Sequence, residues 1–247
     1  MKRFLVALQF LTILPVKIKS EIKETDFGAA LLYFPVIGLL IGLLLSLSAL
    51  SFSFLPVLVK STMILIVSIF ITGGIHLDGF ADTCDGFYGN KSIEKILEIM
   101  RDSRIGAMGV IGIVSLLLLK FSLIASLPEV FFWKILIVMP VFSRWFQGFV
   151  CHAARYVRQE GKAKNFIEYS RCRDVIIGGI FTLALLVLLM SLRGFILFFV
   201  SLIPVALFFY YIKRRVGGMT GDTIGAVNEI AEVSILLFGL ILSGIPV

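Results

Sequence analysis

The sequence has few charged residues, few histidines and few cysteines. Asp, Glu, Lys and Arg make up only 16% of its 247 residues, whereas a soluble domain has roughly 25%. The two histidines and three cysteines contain no Cys-x-x-Cys pair, which argues against a zinc centre or a disulfide framework. A P-loop, a Gly-x-Gly-x-x-Gly fingerprint and a Ser–His–Asp order are also missing from the sequence. These absences exclude the common soluble nucleotide-binding enzymes and serine hydrolases.

Hydrophobic residues, by contrast, make up 59% of the chain and fall in long runs. A run of about 20 apolar residues is long enough to cross a bilayer as a helix. The pattern predicts an all-α, polytopic integral membrane bundle of about seven transmembrane helices. We expect residues 1–247 to form a single catalytic domain. The predicted spans are residues 28–54, 57–75, 108–127, 131–150, 175–192, 194–212 and 226–246.

A shorter apolar run, residues 4–14, follows Lys2 and Arg3. It is too short to span a membrane, and no small-residue cleavage site precedes Lys17. We therefore expect an N-terminal interfacial or re-entrant helix that stays on the protein.

The net charge of +7 follows the predicted topology. If the segments between spans alternate sides from an inside N-terminus, most of the 23 Lys and Arg residues lie inside. Lys and Arg collect on the cytoplasmic side of membrane proteins. The charge therefore indicates orientation rather than nucleic-acid binding, and it predicts that the polar motifs lie at the cytoplasmic face.

Three aspartates follow the second predicted span, within residues 73–86. Asp78, Asp82 and Asp85 are spaced i, i+4 and i+7, so on a helix they share one face. Like charges on one face repel unless a cation lies among them, and oxygen ligands favour Mg²⁺ or Mn²⁺. His76 is a nearby candidate ligand or base. The spacing therefore predicts a metal site on this helix.

A second acidic motif begins the last predicted span. Gly217 and Gly218 allow the backbone to approach a ligand closely, and Asp222 and Glu229, seven residues apart, share a helix face. Arginines accompany both motifs. Arg144 lies inside an apolar stretch and must find a partner. Two acidic clusters and several arginines at one membrane face favour metal-assisted transfer of a phosphate-containing group.

Short motifs along the whole chain resemble the adenosylcobinamide-GDP ribazoletransferase family, also called cobalamin synthase or cobalamin-5′-phosphate synthase. The matching stretches are Phe10-Leu11-Thr12 with Leu14-Pro15-Val16; Phe34-Pro35 with Ile37-Gly38-Leu39; residues 73–79 and 81–86; residues 97–104; Ser143-Arg144; Arg158 with Glu160-Gly161; and Gly217-Gly218 with residues 220–223. They occur in the family's order, and the stretch 73–86 is the most specific. Lys162-Ala163 departs from the family's pattern.

The resemblance implies an inner-membrane enzyme of late vitamin B12 assembly that uses Mg²⁺. Such an enzyme joins adenosylcobinamide-GDP to α-ribazole or its 5′-phosphate and releases GMP. Its expected partners are these substrates and the lipid bilayer, with no nucleic acid. Association with other late cobalamin-assembly enzymes and a homo-oligomer are further expectations.

These observations together assign hypothetical roles to particular residues. The catalytic candidates are His76, Asp82, Asp222 and Arg104. The substrate-binding candidates are Arg101, Arg144, Arg158, Gly218 and Thr220. The metal-binding candidates are Asp78, Asp82, Asp85, Asp222 and Glu229.

Two alternatives remain open at the level of sequence. CDP-alcohol phosphotransferases are also membrane proteins with spaced aspartates, but their motif has Ala-Arg after Asp-Gly, where this chain has Phe80-Ala81-Asp82. A cation-coupled transporter would also place carboxylates at broken helices. Its site would lie near the middle of the bilayer, whereas these motifs flank apolar runs.

Overall fold

The computed structural model describes residues 1–244. They fold into twelve α-helices and a short 3₁₀ turn. In chain order the helices are α1 (Lys2–Leu11), α2 (Glu24–Ala30), α3 (Phe34–Ser51), α4 (Val57–Thr72), α5 (Ile75–Phe87), α6 (Ile93–Ile99), α7 (Ala107–Ser126), α8 (Glu129–Ala153), α9 (Lys164–Glu168), α10 (Cys172–Met190), α11 (Leu192–Val216) and α12 (Gly221–Ser243). The 3₁₀ turn (Leu31–Tyr33) joins α2 to α3.

Six helical segments of the described chain are long and apolar enough to cross a membrane. They are α3 with the segment that leads into it, α7, α8, α10, α11 and α12. A seventh candidate is α4 together with α5. The prediction of an all-α membrane bundle with about seven spans is confirmed. Helix α1 has ten residues, about 15 Å of rise, so it is too short to span; its place at the interface stays a prediction.

Two glycines break the chain between α4 and α5. Gly73 and Gly74 have φ angles of 64° and 67°, in the left-handed region that residues with a Cβ adopt only at a cost. The helix axes consequently differ by 91°. Helix α5 has 13 residues, about 20 Å, and packs against α7 and α12. Helix α5 therefore turns out of the line of α4 at one end of the bundle, beside the starts of α7 and α12.

The most extensive helix–helix contact joins α3 and α8. Gly38 and Gly42 lie one turn apart on α3 and face the backbone of α8. A Cβ added at Gly38 or at Gly42 would lie 2.7 Å from a Cα atom of α8, that of Val141 or Ile137. Small residues allow this approach, and dispersion between the close backbones stabilises helix pairs in lipid. Helices α4, α10 and α12 pack directly on this pair, whereas α7 and α11 pack mainly on other helices.

Several segments between the spans meet at the end of the bundle that carries α5. The amide of Met219 donates to the carbonyl oxygen of Arg155 at 2.9 Å, and the amide of Val157 donates to that of Met219 at 3.1 Å. Arg158 Nη2 donates to the carbonyl oxygen of Met100 at 3.2 Å. These bonds tie together the loops after α6, α8 and α11. They are segments that the charge pattern assigns to a single side.

The α3–α8 contact can be tested by substituting Gly42 with alanine. The new methyl group would push the two backbones apart, and overpacking of this kind costs about 1–3 kcal/mol. We expect a lower apparent melting temperature in detergent. Gly148→Ala on α8 is the matched control, because its Cβ would meet Leu31 at an ordinary 3.7 Å. Equal melting temperatures for the two variants would contradict the packing described for α3 and α8.

Candidate active site

A cavity of about 470 Å³ opens where α5 and α12 meet the loop after α8 and the end of α1. Its polar wall includes His76, Asp78, Gln147, Tyr156, Arg158 and Asp222. Four of these residues were candidates from the sequence. The structure thus brings the first acidic motif, the second acidic motif and the arginine loop to one place.

Close contact between α5 and α12 brings the two acidic motifs together. A Cβ added at Gly79 would lie 2.7 Å from the Cα of Asp222, so only glycine permits this approach. Asp78 and Asp82 flank Gly79 on α5. Burial, followed by the charges of Asp222 and Asp78, raises the pKa of the half-buried Asp82 carboxyl to about 7. The site concentrates negative charge that a cation would relieve.

Arg158 supplies positive charge at the cavity wall. Its Nη2 lies 2.6 Å from Oδ2 of Asp222. Beyond this ion pair, Asp222 Oδ2 is buried without a hydrogen-bond partner in residues 1–244, and so is Arg158 Nε. Arg158 also lines a neighbouring cavity of about 400 Å³, together with Arg101. Its guanidinium therefore lies between two cavities and retains an N–H for an anionic ligand.

His76 and Gln147 form a buried polar pair at the same cavity. Their relative exposures are 4% and 1%, and Gln147 Nε2 lies 3.4 Å from His76 Nδ1. Within the described chain, His76 Nε2 and Gln147 Oε1 have no hydrogen-bond partner. Buried polar atoms without partners are uncommon in folded proteins. The pair is therefore suited to bind a polar group of a ligand.

Asp85 has a different environment from Asp78 and Asp82. Its carboxylate accepts hydrogen bonds from the amides of Gly106 at 2.7 Å and Gly109 at 2.8 Å. These amides belong to the first turn of α7, where a carboxylate satisfies free N–H groups and complements the helix dipole. Asp85 therefore anchors the start of α7 to α5.

Glu229 belongs to a buried charge cluster deeper in the bundle. Lys120 Nζ pairs with Glu229 and lies 2.7 Å from Oε2 of Glu232, while Arg144 Nη1 pairs with the other oxygen of Glu232. Asn228 Nδ2 donates to Glu232 at 3.2 Å. The cluster has two positive and two negative side chains, so its charges balance. Neither Arg144 nor Glu229 lines the larger cavity.

The remaining sequence candidates lie around the site. The side chain of Arg104 is 87% exposed and pairs with Asp102 at 2.7 Å. Thr220 caps α12, where its Oγ1 accepts from the amide of Thr223 at 3.1 Å. Gly218 packs against the backbone of Arg155. These contacts give Thr220 and Gly218 structural roles, as a helix cap and as a site of close backbone packing. Their substrate-binding roles stay predictions.

The described side chains provide no complete metal cage. In residues 1–244, no group of three or more His, Cys, Asp and Glu side chains could hold a metal ion by itself. Mg²⁺ usually binds through one or two carboxylates and completes its shell with waters and substrate phosphates. The oxygen donors of Asp78, Asp82 and Asp222 fit that mode, with Arg158 as the cation that pairs with Asp222 Oδ2.

Sequence reasoning missed Gln147 and the role of Lys120. Both are polar residues inside long apolar stretches, which is a signal of functional or paired residues in membrane helices. Gln147 follows Arg144 by three positions, so the two lie on one side of α8. Tyr156, which also lines the cavity, carries no comparable signal because its loop is polar.

The bundle and its site define a multi-pass membrane protein whose carboxylates and arginine surround a cavity at one end of the helices. The chain matches the family model described as cobalamin-5-phosphate synthase over residues 3–240, and it belongs to that family. The resemblance drawn from the sequence motifs is confirmed.

Curated relatives cover nearly the whole chain. The chain is 34% identical over 238 residues to a protein of Clostridium acetobutylicum named adenosylcobinamide-GDP ribazoletransferase. The match covers 96% of this chain and 94% of that protein. A protein of the same name from Alkaliphilus metalliredigens is 38% identical to this chain over 248 residues. The match covers 99% of this chain and 97% of that protein. No solved structure matches this one.

The buried cluster predicts a specific pattern of stability. Lys120→Met leaves two glutamates facing a single arginine, and breaking a buried pair in this way costs about 3–5 kcal/mol. We expect the apparent melting temperature in detergent to fall by on the order of 10 °C. Adding Glu229→Gln restores the charge balance and should recover much of that loss. Additive effects of the two substitutions would contradict the charge-balance explanation.

The environment of Asp82 predicts a dependence of stability on pH. Its pKa is raised in the folded protein from an ordinary value of 3.8 to about 7, so the folded state binds the proton more tightly. The resulting stabilisation is complete below about pH 4 and is lost as the pH rises through 7. In chelator, Asp82→Asn should lose less thermal stability than the wild type between pH 4 and 8. If melting temperature fell with pH by the same amount in Asp82→Asn and in the wild type, the raised pKa of Asp82 would be contradicted.

Proposed function

We propose that the chain joins adenosylcobinamide-GDP to α-ribazole, or to α-ribazole 5′-phosphate, and releases GMP in a late step of cobalamin biosynthesis. The observation that carries the proposal is the single cavity in which Asp78, Asp222, Arg158 and His76 meet. The family and the names of the relatives support the same reaction. They favour it over the CDP-alcohol and transporter alternatives.

The transfer exchanges a phosphoanhydride bond of the donor for a new phosphate ester bond. A ribose hydroxyl oxygen of ribazole forms a bond to the phosphorus attached to cobinamide. The bond from that phosphorus to the bridging oxygen of the diphosphate breaks, and the electron pair leaves with GMP. The hydroxyl proton passes to Nε2 of His76. This nitrogen is free to accept it when the neutral ring carries its proton on Nδ1 and the Gln147 amide is turned so that Oε1, instead of Nε2, faces Nδ1.

The positive side chains hold the donor in this scheme. Arg158 lies between the two cavities, where a planar guanidinium can bind a diphosphate through two N–H groups. Arg101 extends the positive wall of the smaller cavity. The donor diphosphate would displace Arg158 from part of its contact with Asp222, which frees that carboxylate for other ligands.

The carboxylates take the cation in the same proposal. Asp78, Asp82 and Asp222 would hold Mg²⁺, with Mn²⁺ as an alternative ion. Such an ion, when bound, neutralises phosphate charge and the charge that develops on leaving GMP. We assign Asp85 and Glu229 structural roles instead, because amides and Lys120 occupy their oxygens.

We also propose on which side of the membrane the site lies. The segments around the cavity carry most of the basic residues, which favours the cytoplasmic side of the inner membrane. Association with other late cobalamin-assembly enzymes and a homo-oligomer stay predictions.

The proposal is tested by GMP release from purified protein in detergent with lipid. With adenosylcobinamide-GDP and α-ribazole, we expect Mg²⁺-dependent GMP that matches the complete corrinoid in amount, and none in EDTA. Asp82→Asn should reduce the rate by at least about 100-fold, as expected when a charge-stabilising group is removed.

The matched control is Glu168→Gln. It also converts a carboxylate to an amide, in an exposed contact of 3.9 Å with Lys164 on α9, and its rate should be near normal. A near-normal rate in Asp82→Asn would contradict the role of the aspartates. Absence of turnover in a monodisperse wild-type sample would contradict the proposed reaction.

A further inference from the structure

A third cavity, of about 350 Å³, lies between α1, α2 and α9. Three phenylalanines from these three helices line it: Phe10, Phe27 and Phe166. We call it the aromatic cavity. None of the roles discussed above uses it.

The phenylalanine rings form an ordered wall. The centroids of Phe10 and Phe166 are 4.3 Å apart with a tilt of 37°, and Phe27 meets Phe166 edge-on at 5.4 Å. Phe166 is fully buried, whereas Phe10 and Phe27 are half-buried. Their remaining surface therefore lies open to a ligand, and aromatic rings prefer tilted or offset contact with another flat ring.

The aromatic cavity adjoins the candidate active site. Gln9, Phe10, Gly161 and Lys162 line both cavities. A ligand that extends past these shared residues would place an apolar part between the phenylalanines and a polar part toward His76. An α-ribazole molecule has this form, since a flat heteroaromatic base is joined to a ribose.

We propose that the aromatic cavity binds the flat base of the riboside acceptor, an assignment that rests on the proposed function. The base packs against Phe10 and Phe27, and the ribose extends into the larger cavity toward His76. Lys162 lies at the junction, where its charge suits the phosphate of the 5′-phosphate form. The apolar wall favours this base over guanine, whose polar edge would lose hydrogen bonds there.

The test compares Michaelis constants for the two substrates in Phe27→Ala and the wild type. Loss of ring contact should raise the constant for α-ribazole about tenfold, in the range found when aromatic contacts to bases are removed. The constant for adenosylcobinamide-GDP should stay within about twofold, as should the rate at saturating acceptor. Phe27→Leu keeps an apolar side chain in α2 and should show a smaller rise for α-ribazole.

Phe4→Ala is the matched control. Phe4 also lies at this end of the chain, packs edge-on against Tyr33 at 6.0 Å, and lines neither cavity. The Michaelis constants of Phe4→Ala for α-ribazole and for adenosylcobinamide-GDP should equal those of the wild type. Normal α-ribazole constants in both Phe27 variants, or a rise in the donor constant alone, would overturn the assignment.

Failure of the proposed function has a separate signature, which is a wild-type protein that releases no GMP. Equilibrium dialysis of α-ribazole without donor then decides the assignment: wild type should bind it and Phe27→Ala about tenfold more weakly. A lipid acyl chain is the competing occupant. Loss of co-purified phospholipid from Phe27→Ala, with unchanged binding of α-ribazole, would overturn the proposal in favour of lipid.

Discussion

The site depends on the close packing of α5 against the start of α12. The left-handed backbone of Gly73 and Gly74 turns α5 by 91° from α4, and Gly79 then lies directly on the backbone of Asp222. Without the turn, the aspartates of α5 would continue along the line of a membrane span. Without the small residue, α5 could not come close enough to share a cavity with Asp222.

Partners, rather than residue type, separate the carboxylates of the two acidic motifs into three groups. Asp85 binds the amides of α7, and Glu229 and Glu232 balance Lys120 and Arg144 in the bundle. Asp78, Asp82 and Asp222 lie at the end of the bundle, with Arg158 as the close cation. Because these three carboxylates outnumber their cation, we propose that the chemistry that needs a bound cation and an anionic substrate takes place at that end.

The sequence predicts the architecture well because span length is a local property. The seven predicted spans correspond to helices as far as the structure describes them, residues 245 and 246 of the last span lying outside the described residues. Asp78 and Asp82 do lie on one face of α5. The sequence does not separate Asp85 from its neighbours, since its partners on α7 are more than 20 positions away. The same holds for Glu229, whose partner Lys120 is 109 positions away. Helical spacing predicts a shared face, but tertiary contacts decide which members of that face stay available.

We propose that carboxylates on two different helices, α5 and α12, form a single cation-binding centre. Electron paramagnetic resonance of Mn²⁺ tests it without turnover, in wild type, Asp78→Asn on α5 and Asp222→Asn on α12, each with adenosylcobinamide-GDP present. We predict that either substitution alone weakens Mn²⁺ binding by at least about tenfold, as expected for loss of one of a few charged ligands. Unchanged Mn²⁺ affinity in either variant would show that the two helices do not share one centre.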